Sequence, residues 1–414
     1  MKSAYVIGGG LAGLSAAVAL AEKGTRVVLF EAAGQAGGRC RSYFDATLGA
    51  VIDNGNHLVL SGNRAVQSYL RAIGAEDALQ GPEHAAFAFA DLATGERWTL
   101  APNEGPLPWW IFAASRRVPR TKPSDYARLA RLLSAGAGRT VAEVIPCKGA
   151  LWDRLMRPFL LAALNTEPET ASAALAGAIL RETLAKGGRA YRPRIAHPTL
   201  AAAFVEPALA FLAAHGAEVC LGQRLRRIVL DASHAVALEF PDSTIPLSPD
   251  DMVILATPPW VTHDLVPKIT TPNEFRAIVN GHFKIAPPDG APAMLGVIGG
   301  TAEWIFAFAD RISVTVSAAD AIVDMDREEL AVLLWRDVAR AYNLTASLPP
   351  WQIVKEKRAT FAATPAQAAR RPGGMTPWRN LLLAGDWIDT GLPATIESAL
   401  RSGQEAARLA RRAV

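Results

Sequence analysis

Gly8, Gly10 and Gly13 form G-x-G-x-x-G near the start of the chain, and Glu31 follows 18 residues after the last of them. That set can hold a diphosphate flanked by two nucleosides. Gly8 permits a tight turn, Gly10 lets a pyrophosphate approach the main chain, and Gly13 lets a helix pack closely on a strand. A helix opening at Leu11 and Ala12 would aim free N–H groups and a partial positive charge at the phosphates. Glu31 would accept hydrogen bonds from ribose hydroxyls, and its charge argues against a ribose 2′-phosphate.

The elements needed to position these residues are present. "SAYVIGG" (residues 3–9) is an apolar run of strand length, "LSAAVALAEKG" (14–24) reads as a helix stopped by Gly24, and "RVVLFEA" (26–32) is a second strand. This βαβ context makes the glycine spacing far more specific than it is alone. Lys2 and the apolar run from Val6 to Leu20 have the look of a secretory signal, but the glycines and the strand that follows read as a nucleotide fold.

The next residues, "EAAGQAGGRCRS" (31–42), resemble the E-x(5)-G-G-R-x-x-S extension of the flavin amine oxidase and carotenoid desaturase superfamily. The resemblance implies FAD, with Gly38 and Arg39 at its pyrophosphate. A guanidinium with several donors suits that role. Two later stretches carry the same likeness. "GAEVCLGQRLRRIVLDASHAVALEF" (216–240) with "DDMVILATPP" (250–259) resembles the middle FAD segment, where Leu225 would offer its backbone to the adenine. "NLLLAGDWIDTGLPATIESALRSGQEAA" (380–407) resembles the C-terminal FAD motif. There Gly385 and Asp386 would lie by the ribityl and pyrophosphate groups, and Thr395 would stand where a helix points at the flavin.

Three stretches narrow the likeness: "DNGNHLVLSGNRAVQSYLRAIGA" (53–75), "PFLLAALNTEPETASA" (158–173) and "RRPGGMTPWRNLLLAGDWIDTGLPATIESAL" (370–400). Together they resemble the hydroxysqualene dehydroxylases of bacterial hopanoid biosynthesis. Asn56 replaces the usual glutamine of that family's D-N-G-Q-H and keeps an amide there. The resemblance implies reduction of hydroxysqualene to squalene by reduced flavin. It also implies an isoprenoid lipid substrate and places Asn56 and His57 near the cofactor. His57 is the first candidate for proton donor, because an imidazole titrates near neutrality, or else it is a structural post. Asp53 would orient His57 or cap a turn, and Asp389 would face the pocket as a third catalytic candidate. Glu397 reads as structural. The seven histidines show no metal-ligand spacing, so no metal is expected.

The expected fold class is α/β, with a discontinuous Rossmann-type FAD-binding domain (1–75, 205–262 and 376–414). An inserted α+β substrate domain (76–204 and 263–375) would complete it. The chain has 414 residues, half of them hydrophobic, and a net charge of +4 without runs of like charge, which speaks against nucleic acid as a partner. Three scattered cysteines suit a reducing compartment. No apolar stretch is long enough to span a bilayer. The expected location is the cytoplasm, with possible peripheral contact at the inner face of its membrane. "PLPWWIFAASRRVPRTK" (106–122) sets Trp109, Trp110, Ile111 and Phe112 beside Arg116, Arg117, Arg120 and Lys122. It is either such a contact or a buried aromatic cluster with a solvated basic edge. Trp152, Phe159 and Leu160 line a tunnel or belong to the core. No second G-x-G-x-x-G follows a strand, so an unidentified partner must reduce the flavin.

Two rival readings remain at this level. A desaturase or amine oxidase would run the flavin in the oxidising direction, and the latter would set aromatic residues such as Trp387 against the flavin. A prenyl-binding escort protein would share the fold without turnover, and the intact C-terminal motif argues against it.

Overall fold

The apolar runs at residues 3–7 and 26–30 lie side by side in a five-stranded parallel sheet. The computed structural model describes residues 3–412, so Lys2 lies outside it. Across the sheet the order is Glu218–Cys220, Arg26–Phe30, Ser3–Ile7, Met252–Leu255, Leu381–Leu383. Tyr5 registers with Val28 on one side and Val253 on the other, and Ile254 with Leu382. Met252–Leu255 and Leu381–Leu383 are buried at every position, as a parallel sheet covered on both faces requires. Three segments far apart in sequence thus build one nucleotide-binding sheet.

Two helices on this sheet meet with almost no side chain between them. Leu11–Ala21 follows the glycine turn, and Ile396–Arg412 crosses it at Gly403. A Cβ on Gly403 would stand 2.2 Å from the Ala12 carbonyl oxygen, a backbone atom that cannot rotate away. Gly403→Ala is therefore expected to push the helices apart, at a cost of about 1–3 kcal/mol. A lowered denaturation midpoint at an unchanged denaturant slope checks this.

Both inserted segments contribute to a second, seven-stranded sheet. Its order is Trp351–Phe361, Phe275–Phe283, Ile312–Val316, Trp304–Ala307, Met294–Ile298, Phe87–Asp91, Arg97–Leu100. The parallel pairing of Leu295 with Ala88 joins the two insertions. Helix Arg327–Tyr342, N-capped by Asp326, covers one face and buries Leu330, Leu334 and Val338 against Val279 and Phe283. The strand alternation sends the intervening residues Asn280, His282, Ser313 and Thr315 the other way, towards the glycine-rich domain. Those four are polar and buried.

One boundary differs from the sequence reading, and one alternative is decided. Leu200 and Phe204 pack in the core of the nucleotide domain with Leu14 and Leu29, so the helix Leu200–Phe204 belongs with that domain rather than with the insertion before it. Trp152 and Leu160 are core side chains, 4% and 0% exposed, and Phe159 is partly buried against the same cluster. Cys40, Cys147 and Cys220 are unpaired. Among the described residues no helix is long and apolar enough to cross a membrane.

Candidate active site

The glycine turn is shaped by contacts that exclude side chains. Gly8 adopts φ +113°, and a Cβ there would meet the Ala256 carbonyl oxygen at 2.5 Å; one on Gly13 would meet the Gly8 oxygen at 1.9 Å. Gly10 differs, because a Cβ on it would enter open space. The backbone amides of Gly10, Ala12 and Gly13 donate to no acceptor among the described residues. Open space in front of unpaired amides at a helix N-terminus is what a pyrophosphate needs. Glu31 at the end of the second strand accepts from the Gly9 and Ala33 amides at 2.6 and 2.8 Å, which fixes its carboxylate at the lip of the turn. Beside it, Gln223 bonds the Glu31 carbonyl, while the backbone of Leu225 has no hydrogen-bond partner among the described residues. The main chain at Leu225 is thus free to meet a base.

Arg39 follows Gly37, held at φ +106°, and Gly38, at φ +56°. It reaches across to the C-terminal motif, 347 residues away, and its Nη2 donates to Asp386 Oδ1 at 2.7 Å. Nη1 donates to the Ala359 carbonyl, so one guanidinium ties the glycine-rich domain, the seven-stranded sheet and residue 386 together. Burial works against its charge, but the neighbouring Asp386 carboxylate prevails and raises its pKa. Asp386 is buried, whereas the Arg39 side chain is 42% exposed.

His57 lies within the field of this pair and makes no hydrogen bond among the described residues. Burial first, and the Arg39 charge second, push its pKa down to about 4, while Asp386 pulls the other way. The ring is thus a neutral imidazole at pH 7. It can orient a hydroxyl through its N–H, and it becomes an acid only when a nearby negative charge raises its pKa. With Asp53 and Asn56 it lines a small chamber whose remaining walls are Ile195, Ala196, Leu200, Phe306 and Phe308.

Asp53 does not orient His57. Its Oδ1 accepts from Ser42 Oγ at 2.6 Å and the Leu200 amide at 2.9 Å, joining the hairpin Ser42–Asp53 to the helix Leu200–Phe204. Burial raises its pKa against these two bonds. Asn56 donates to Thr315 Oγ1 at 3.1 Å, and its own Oδ1 is buried without a partner. Asp389 is exposed, and its carboxylate accepts from the Gly391 amide in a turn, which is the reverse of a pocket-facing acid. Thr395 caps the last helix by accepting from the Ser398 amide at 3.1 Å. Gly385 donates to Ser402 Oγ at the same junction.

Glu397 is structural, as expected. Its two oxygens accept from the Ala65 and Val66 amides, both at 3.1 Å, and cap the helix Arg64–Ala72 from the far end of the chain. Glu397→Gln is expected to cost about 1–3 kcal/mol of stability. It should leave the bound-flavin spectrum unchanged, and thermal unfolding followed beside flavin absorbance reads both.

Arg371, Asn280 and His282 escaped the sequence reading, and Trp387 takes a different part from the one it suggested. Arg371 lies over the Phe361 ring and donates to the carbonyls of Trp387, Ile388 and Leu392, which clamps the C-terminal motif. Trp387 is 2% exposed and donates its indole N–H to the Thr257 carbonyl at 2.9 Å, so it is a wedge under Gly385 rather than an aromatic wall for a substrate. Asn280 accepts from Thr315 at 2.8 Å, and His282 pairs with Ser313 at 2.8 Å. Their period-two placement was a visible signal, but nothing local says that the polar face meets Asn56.

The residues present fit FAD: amides for a pyrophosphate, Glu31 for a ribose, an unpaired main chain at Leu225 for a base, and a guanidinium at the cleft. Fold and site together define an FAD-dependent oxidoreductase. Cyclohexylamine oxidase from Brevibacterium oxydans is similar in structure with a TM-score of 0.74 over 99% of each chain at 15% identity, a likeness of fold alone. The model of the flavin containing amine oxidoreductases matches residues 11–410. Hydroxysqualene dehydroxylase of Rhodopseudomonas palustris is 54% identical, covering 99% of this chain and 98% of its own; that of Zymomonas mobilis is 49% identical over 99% of both. The chain belongs to the hydroxysqualene dehydroxylase family, within the flavin containing amine oxidoreductases.

Proposed function

We propose that this chain reduces hydroxysqualene to squalene at the chamber beside His57. The carrying observation is a partnerless imidazole, next to the Arg39–Asp386 pair, in a small chamber that it lines with Asp53, Asn56 and five apolar residues. The full-length kinship with hydroxysqualene dehydroxylases supplies the substrate. In the reaction the C–O bond breaks, a hydride joins the carbon, and the oxygen leaves with a proton as water. Reduced flavin supplies the hydride. Ile195, Leu200, Phe306 and Phe308 exclude bulk water from a cationic carbon, and His57 with Asn56 meets the departing oxygen. The enclosed cavity there is about 10 Å³, room for about one water, so it suits the departing oxygen rather than the hydrocarbon chain.

The amine oxidase alternative loses its aromatic wall, because Trp387 is turned into the core. The desaturase alternative shares the apolar chamber and differs in the direction of electron flow. The enzyme works in the cytoplasm against the inner face of the membrane and takes its electrons from an external reductant.

Anaerobic photoreduction of the purified protein followed by addition of hydroxysqualene tests this. Reoxidation of the flavin with equimolar squalene is the expected result. Flavin that stays reduced with substrate present would overturn the assignment, and oxidised enzyme acting on squalene-like polyenes would put the desaturase in its place.

A further inference from the structure

The stretch Pro106–Leu133 divides its apolar residues between inside and outside. Trp110 is 4% exposed and packs edge-on against Tyr126 at 5.3 Å. Leu107, Trp109 and Phe112 point outward, 77%, 55% and 70% exposed. The loop carrying them is tightly held. Buried Asn103 donates to the carbonyls of Gly105 and Leu107, both at 2.9 Å, and accepts from the Trp110 amide. Arg116 ties back to Ala101 and covers the Trp109 ring at 5.0 Å, and Arg117 donates to the Ile111 carbonyl. A fixed loop that presents three large apolar side chains to water is unfavourable unless something covers them.

The charge around the loop indicates what covers it. Residues 105–135 contain Arg116, Arg117, Arg120, Lys122, Arg128 and Arg131 against a single acid, Asp125, with Arg120 paired to Glu96 at 2.9 Å. Asp125 is spent on the Lys122 amide of its own helix start. Arg128 and Arg131 are exposed, on the helical stretch joined to the loop through Tyr126. Apolar tips within a basic collar match the acyl and headgroup layers of an anionic bilayer.

The loop is also bonded to the segment that leads along the chain to the chamber wall. Gly188 donates to the Asn103 carbonyl at 2.8 Å, and the Arg189 amide to that of Glu104 at 3.3 Å. Residues 187–192 run directly into the strand Pro193–Ala196, whose Ile195 and Ala196 line the chamber with His57.

We propose that Leu107, Trp109 and Phe112 form a membrane-inserting tip that docks the enzyme on anionic lipid, with the 187–196 segment beneath it leading substrate from bilayer to chamber. The lipid-borne substrate rests on the function proposed above; the docking surface stands on exposure and charge alone.

Vesicles of phosphatidylcholine, with and without phosphatidylglycerol, test the surface by co-sedimentation of the flavin-loaded protein. The wild type is expected to bind the anionic vesicles and to leave them at high salt. Combined Leu107→Ser, Trp109→Ser and Phe112→Ser should weaken binding by roughly tenfold or more, and Arg128→Glu with Arg131→Glu by a similar factor. Unchanged flavin absorbance and melting temperature would show both variants folded. The serine variant should keep its turnover of detergent-dispersed hydroxysqualene and lose turnover of the vesicle-borne alcohol. Wild type that ignores anionic vesicles, or a serine variant that binds like wild type, overturns the proposal. So does a lipid-free dimer that the serine substitutions dissociate, which would make the tip an interface between two copies. Vesicle binding without reduction of hydroxysqualene would leave the surface standing and remove the substrate; turnover without vesicle binding would do the reverse.

Discussion

Arg39→Met is expected to yield a folded protein that purifies nearly without colour. Arg39 touches the C-terminal motif, through Asp386, and the seven-stranded sheet, through Ala359, and its side chain is still 42% exposed. Methionine retains the aliphatic stem but leaves the buried Asp386 carboxylate without its cation. It also removes the charge proposed to meet the pyrophosphate. Truncating one member of a hydrogen-bonded charge pair typically costs about 2–5 kcal/mol, and the lower part of that range applies to a half-exposed guanidinium. Here that means FAD binding weaker by roughly 30- to 1000-fold, for about 2–4 kcal/mol. Titrating FAD into flavin-free protein and following absorbance measures it. Asp386→Asn in the Arg39→Met background should recover stability, because no charge is then stranded, without recovering flavin affinity. Stoichiometric flavin in purified Arg39→Met would sink the assignment of Arg39 to the cofactor.

The second large effect concerns His57. His57→Gln should lower turnover of hydroxysqualene by roughly 10²- to 10⁴-fold, the range for loss of a positioned proton-transfer group, while flavin content holds. A structural post would behave differently: stability would fall and the rate per bound flavin would not. The pH dependence separates the two further. In the flavin-free protein the His57 pKa is depressed to about 4, so the ring is neutral in both folded and unfolded chains above pH ~6.5. As pH falls below 6.5 the unfolded chain gains a proton that the folded one does not bind until about pH 4, so stability drops across that window. His282, pushed down to about 3 mainly by burial, adds a loss in the same direction that continues lower. Melting temperatures of the flavin-free wild type should therefore fall from pH 6.5 towards 4, and those of His57→Gln should fall less steeply. A variant at wild-type rate would remove His57 from the chemistry whatever its effect on stability.

The nucleotide domain was legible because its signals are local. Gly8 and Gly13 are needed where backbone oxygens crowd the turn, and such constraints leave a glycine at a set spacing. Strands buried on both faces leave continuous apolar runs, as Met252–Leu255 does. Asp53 and Asp389 were misjudged for one common reason. A carboxylate near a motif looks catalytic until its hydrogen-bond partners are known, and the Asp53 partners include Leu200, 147 residues away. Trp387 raised the same difficulty, because its ring direction depends on Thr257 in another strand's continuation. The aromatic run Trp109–Phe112 offered a membrane contact or a buried cluster, and only burial divides it: Trp110 is core, while Trp109 and Phe112 are exposed.

What the sequence determined by itself is the cofactor fold and the kinship. Glycine spacing, apolar period and the order of three motifs are properties of short segments, written directly in residue types. The tertiary structure alone decided the electrostatics and the access. The neutrality of His57, the clamp between Arg39 and Asp386, and the polar sheet face under Asn56 all arise where segments hundreds of residues apart are packed together. Burial and neighbouring charge set a side chain's chemistry, and neither exists until the chain has folded.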